Sequence, residues 1–125
     1  MAFDIRLEWE LPSDDPFSRS RRVADALLAE VSGLTEFPLD AAAITKNIGV
    51  SSAEVWNHWF HVELHAPDTL AGALVHLSSE SGYVELMSNP PAGCTATLLA
   101  VRPLLTALAS HGLRVANPIG LLAEY

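Results

Sequence analysis

Residues Phe3 to Leu11 alternate without a fault: Phe3, Ile5, Leu7, Trp9 and Leu11 point one way, and Asp4, Arg6, Glu8 and Glu10 the other. Successive side chains of an extended chain face opposite sides, so this period of two describes a half-buried β-strand. A strand with a charged outer row belongs to a sheet that is covered on one face and wet on the other. Antiparallel sheets meet that condition, whereas parallel sheets are buried on both faces. Pro12 ends the strand.

The rest of the chain supplies what such a sheet needs. Asp15 followed by Pro16 is a helix start, because the aspartate can cap and the proline loses nothing at the first helical position. Phe17, Ala24, Leu27, Val31 and Leu34 follow at helical spacing, and Gly33 can close the helix. A second apolar segment runs from Thr95, a candidate cap, to His111, with Val101, Leu104, Leu105 and Leu108 as its stripe. Pro103 lies inside it, so the segment is either one kinked helix or a strand over 95–101 followed by a helix. The kinked helix is the preferred reading. Tyr83 to Met87 and Leu113 to Val115 read as strands, and Asn89-Pro90-Pro91-Ala92-Gly93 as a break.

Two regions are ambiguous. Around 35–52 an inserted segment offers only Asp40 as a cap for a short helix over Ala41 to Ile44. Over 69–79, Leu70, Ala73, Leu74 and Leu77 fit a helix, while Ala73 to Leu77 also fits a strand in a hairpin with Tyr83 to Met87. The reading is therefore a single α+β domain over 1–125: an antiparallel sheet with two main helices packed on one face, in the ferredoxin-like order βαββαβ.

Val55 to His65, Val-Trp-Asn-His-Trp-Phe-His-Val-Glu-Leu-His, concentrates the chemistry, with two of the three tryptophans and three of the five histidines. As a strand it puts Trp56, His58, Phe60, Val62 and Leu64 on a core face. Asn57, Trp59, His61, Glu63 and His65 then share the outer face, together with Val55. As a helix it would scatter its apolar residues around the cylinder, so strand is preferred from Trp59 onward, with room for a helical turn before it. Asn57, Trp59, His61, Glu63 and His65 are the expected protein-binding residues, because an exposed indole beside imidazoles and a carboxylate suits an anchor on a partner. His61, Glu63 and His65 also form half of a metal site, with His76 and Glu85 as nominees for a further ligand. His58 is expected to be a core histidine and His111 a helix C-terminal residue.

Fifteen acidic and seven basic residues give a net charge of −8. An acidic domain repels phosphate backbones, so nucleic acid is not an expected ligand. No apolar run is long enough to span a bilayer, and the amino terminus lacks a signal-peptide core, so the expectation is a cytoplasmic protein with no membrane partner. Cys94, the lone cysteine, excludes an internal disulfide and a cysteine cage for zinc. P-loop, Gly-x-Gly-x-x-Gly and Gly-x-Ser-x-Gly patterns do not occur, and no cofactor is expected. In size, charge and layout the chain is similar to small acidic α+β bacterial proteins, among which immunity proteins of toxin systems are frequent. The resemblance implies a non-enzymatic module that covers a basic toxin or effector domain. The alternative is a small ferredoxin-like enzyme or metal-binding protein using His61, Glu63 and His65, and a homodimer is a third option.

Overall fold

The protein was analysed as a computed structural model, which describes residues 3–37, 60–78, 81–86 and 94–117. Its elements run β1 (Phe3–Trp9), α1 (Pro16–Glu30), β2 (Thr35–Phe37), β3 (Phe60–His65), a 3-10 turn at Asp68–Leu70, β4 (Leu74–Ser78), β5 (Ser81–Leu86), α2 (Cys94–Ser110) and β6 (Leu113–Val115). The strands form one six-stranded sheet in the order β2-β3-β4-β5-β1-β6. Every pairing in it is antiparallel. The fold is α+β.

Four strands lie between the two helices, so the described order is longer than βαββαβ. The inserted segment contributes β2. The ambiguous stretch over 69–79 contributes β4, because cross-strand pairing on both sides outweighs its helical spacing. Of the four residues at helical spacing, Leu70 alone lies in the 3-10 turn.

The alternation of the first strand is realised directly. Ile5 and Leu7 are buried, Trp9 is half-buried, and Asp4, Arg6 and Glu8 are exposed. Leu11 departs from the expectation. It lies past the strand end and is 74% exposed.

Helix α1 begins as its sequence dictates: the Asp15 carboxylate accepts the Ser18 backbone N–H at 3.2 Å and the Ser18 hydroxyl at 2.7 Å. Those bonds hold the Asp15 carboxyl below its ordinary range. The helix stops at Glu30, earlier than the apolar spacing suggests, with Val31 as its extended C-cap. Gly33 then takes a left-handed φ of 86° in the turn that leads Leu34 back to the core. Helix α2 is continuous through Pro103 and already under way at Thr95, so Thr95 is not its cap. No helix among the described residues is long and apolar enough to cross a membrane.

Both helices bury their stripes on the same face of the sheet. Val23, Ala24 and Leu27 of α1 and Leu98, Val101, Leu104, Leu105 and Leu108 of α2 join one cluster with the inner residues of β1, β3, β4, β5 and β6. Two polar details tighten that layer. The buried Ser20 hydroxyl donates to the Ser78 carbonyl at 2.6 Å, tying α1 to the end of β4. Gly82 lets β5 approach β4 closely, since a Cβ there would sit 2.7 Å from the His76 carbonyl oxygen and 3.2 Å from Leu77 Cδ2.

Gly82→Ala is therefore expected to lower unfolding free energy by about 1–3 kcal/mol through overpacking. Ser20→Ala should cost a similar ~1–3 kcal/mol by leaving a buried carbonyl without its donor. Urea denaturation of each variant against wild type measures both.

Candidate functional site

Across the sheet, residues that oppose one another share a face, so the pairing register decides which outer residues meet. Glu63 lies opposite His76, His76 opposite Tyr83, and Tyr83 opposite Arg6. A second row runs from His65 through Leu74 and Glu85 to Asp4. Phe37 and Thr35 of β2 extend the two rows beside Glu63 and His65. The helices lie on the other side, over Val62, Leu64, Val75, Leu77 and Val84.

Within these rows the side chains form a connected group. The His65 ring stacks on Phe37 with centroids 5.2 Å apart and planes at 6°. His65 Nε2 lies 3.3 Å from Glu63 Oε2. The other Glu63 oxygen lies 3.6 Å from His76 Nδ1. His76 Nε2 lies 3.7 Å from Glu85 Oε2, and its ring stacks on Tyr83 at 4.3 Å. One imidazole is thus held between carboxylates from the strands on either side.

Burial dominates the electrostatics. His76 is only 7% exposed, and desolvation pulls its pKa below the ordinary value despite the opposing pull of Glu63, Glu85 and Asp4. His65 adds to the downward shift. Desolvation, reinforced by Glu85, Asp4 and Glu63, also raises the Tyr83 phenol above its ordinary value. A neutral imidazole and an un-ionised phenol therefore sit among carboxylates. The arrangement can present negative charge together with aromatic surface. No group of three or more His, Cys, Asp or Glu among the described residues is arranged to hold a metal ion.

The expected residues fare unevenly. Glu63 and His65 come together, half-buried, on the face opposite the helices. His76 and Glu85, the nominees for a further ligand, join them. His61 lies on β3 by its backbone, with its side chain outside the described set; Asn57, Trp59 and the core candidate His58 lie wholly outside it. The register shifts between Phe60 and Val62, so the simple alternation of Glu63 and His65 does not extend backward through that point. His111 lies just past α2, where its Nε2 meets Glu30 Oε2 at 2.9 Å. Arg21 pairs with Asp25 and Glu36, and Arg19 stacks 4.0 Å above the Trp9 ring, so the basic cluster of α1 braces the scaffold.

Phe37, Tyr83 and Asp4 are members that sequence reasoning did not place here. For Tyr83 a signal existed, since Tyr83-Val84-Glu85-Leu86 alternates as β1 does. The chain matches no family model, no curated protein and no solved structure.

The depressed His76 pKa fixes the sign of a pH effect. As pH falls below about 6.5, the unfolded chain takes up this proton before the folded one, so stability is lost on acidification. The stability difference between wild type and His76→Gln is expected to shift against wild type between about pH 7.5 and about pH 5. Urea titrations at the two values measure it. A shift in favour of wild type would mean that the two carboxylates outweigh burial.

Proposed function

We propose that this chain is a non-enzymatic protein-binding module, an immunity-type inhibitor that lays the outer face of its sheet over a basic toxin or effector domain in the bacterial cytoplasm. The observation that carries the reading is the composition of that face. Asp4, Glu8, Glu63 and Glu85 lie on the outer rows of the sheet among Phe37, His65, His76 and Tyr83, on a chain of net charge −8. Phe37 is 56% exposed at the sheet edge, where an aromatic ring can anchor a partner. Acidic surface steers a basic domain into register and speeds its association. Asn57, Trp59 and His61 are included in the proposed surface on sequence grounds alone.

A second reading, a small enzyme or metal-binding protein using His61, Glu63 and His65, draws on the run Glu63–His76–Glu85 of imidazole and carboxylates. Metal analysis of untagged protein separates the two: stoichiometric zinc or iron lost in His65→Ala favours the second.

The test of the first reading is binding to a basic domain encoded beside this gene. Association should slow as ionic strength rises. Asp4→Lys with Glu8→Lys should slow it on the order of 10-fold or more at low salt. Phe37→Ala and Trp59→Ala should speed dissociation. Unchanged binding with all four substitutions combined would overturn the proposal.

A further inference from the structure

Both helices end at the same place. Helix α1 stops at Glu30 and α2 at Ser110, and His111 Nε2 lies 2.9 Å from Glu30 Oε2 across the gap. A groove of about 440 Å³ runs between these two ends and the 3-10 turn. That is room for a small organic molecule. Its apolar lining comes from Val31 after α1, Leu70 of the 3-10 turn, and Pro103 and Ala107 of α2. Hydroxyls of Ser32, Thr69 and Ser110 join the Glu30 carboxylate as its polar lining.

The charge in this groove has one sign. The carbonyl end of a helix carries roughly half a negative charge, which a lysine or arginine in the last turn ordinarily offsets. Neither helix here has a basic residue in its last turn. Arg19, Arg21 and Arg22 all fall in the first half of α1, and Arg102 lies about two turns before the end of α2. Glu30 adds a full negative charge at the point where the two ends converge. One of its oxygens meets His111, and the other makes no hydrogen bond or ion pair with a described residue. Ser110 donates its hydroxyl hydrogen to the Ala107 carbonyl at 2.7 Å, which leaves its oxygen as an acceptor.

We propose that this groove binds a small organic cation, a primary ammonium on a short apolar body. The ammonium brings three donors to a site whose polar groups are acceptors: the second Glu30 oxygen and the Ser110 hydroxyl oxygen. It also supplies the positive charge that both helix ends lack. The body lies along Val31, Leu70 and Ala107. Charge selects this class of ligand. A carboxylate or phosphate would face Glu30 and two carbonyl ends, and a neutral molecule would leave them uncompensated.

The groove belongs to the helix layer, so the inference does not depend on the role of the sheet's outer face. Its test is a titration of the full chain, labelled with nitrogen-15, at low salt. The probes are n-hexylammonium, n-hexanol, hexanoate and a short capped lysine peptide. Saturable amide shifts centred on Val31, Ser32 and Ser110 are expected with n-hexylammonium. Hexanol should bind on the order of 10-fold more weakly, and hexanoate not at all. Glu30→Gln, which keeps a partner for His111 and removes the charge, should weaken the amine on the order of 10-fold. Ser32→Lys, at an exposed position, should block the amine by placing an internal ammonium beside Glu30, and should leave the circular dichroism unchanged. Glu8→Lys on the sheet should change nothing. The proposal is overturned by no saturable binding of n-hexylammonium, by hexanol binding equally well, or by amine binding undiminished in both Glu30→Gln and Ser32→Lys. Binding of the lysine peptide alone also overturns it, because the cation would then belong to a partner protein.

Discussion

The leucines and valines of α2 resting on the inner face of the sheet set the geometry of everything else. Leu104, Leu105 and Leu108 are essentially inaccessible to water, as are Val62, Leu64, Val75 and Leu77 beneath the helices. Each fully buried side chain of this size contributes about 1.5–3 kcal/mol relative to exposure. That layer dictates which way each strand faces, because a slip of one residue would carry a whole hydrophobic row to the wrong side. Glu63 and His65 then have no choice of side. Their neighbours Val62 and Leu64 are committed to the helices. The chemistry of the outer face is thus a by-product of packing on the inner one.

Legibility in the sequence followed how local the deciding physics was. The strand from Phe3 and the capped start at Asp15-Pro16 depend on neighbours within a few residues, and both could be read off directly. The long α2 was legible too, since an apolar stripe of this length tolerates one interior proline. The stretch over 69–79 was not. Leu70, Ala73, Leu74 and Leu77 satisfy a helix, while Val75 and Leu77 satisfy a strand. The choice is made by hydrogen bonds to β3 and β5, which are distant in sequence. The inner placement of Val62 and Leu64, and hence the outer placement of Glu63 and His65, followed from alternation alone. Bringing His76, Tyr83 and Asp4 to them required register, which no single segment encodes.

The charge distribution follows from the same division. On the sheet, carboxylates sit beside aromatic rings. On α1, arginines pair with Asp25 and Glu36. On α2 nearly all charge has been removed from a surface that would be expected to carry it. The two sides of the same core thus differ in charge: the outer face of the sheet carries carboxylates, and the exposed positions of α2 carry none.

The register shift between Phe60 and Val62 has a bearing on how this sheet avoids misassembly. Strand β2 pairs with β3 only from Glu63 to His65, so among the described residues the first half of β3 has a neighbour on one side alone. An extra residue there increases the local twist of the strand and puts its backbone amide and carbonyl groups out of line. A stray strand from another molecule needs a flat, evenly spaced row of such groups to add itself on. The irregularity breaks that even spacing between Phe60 and Val62.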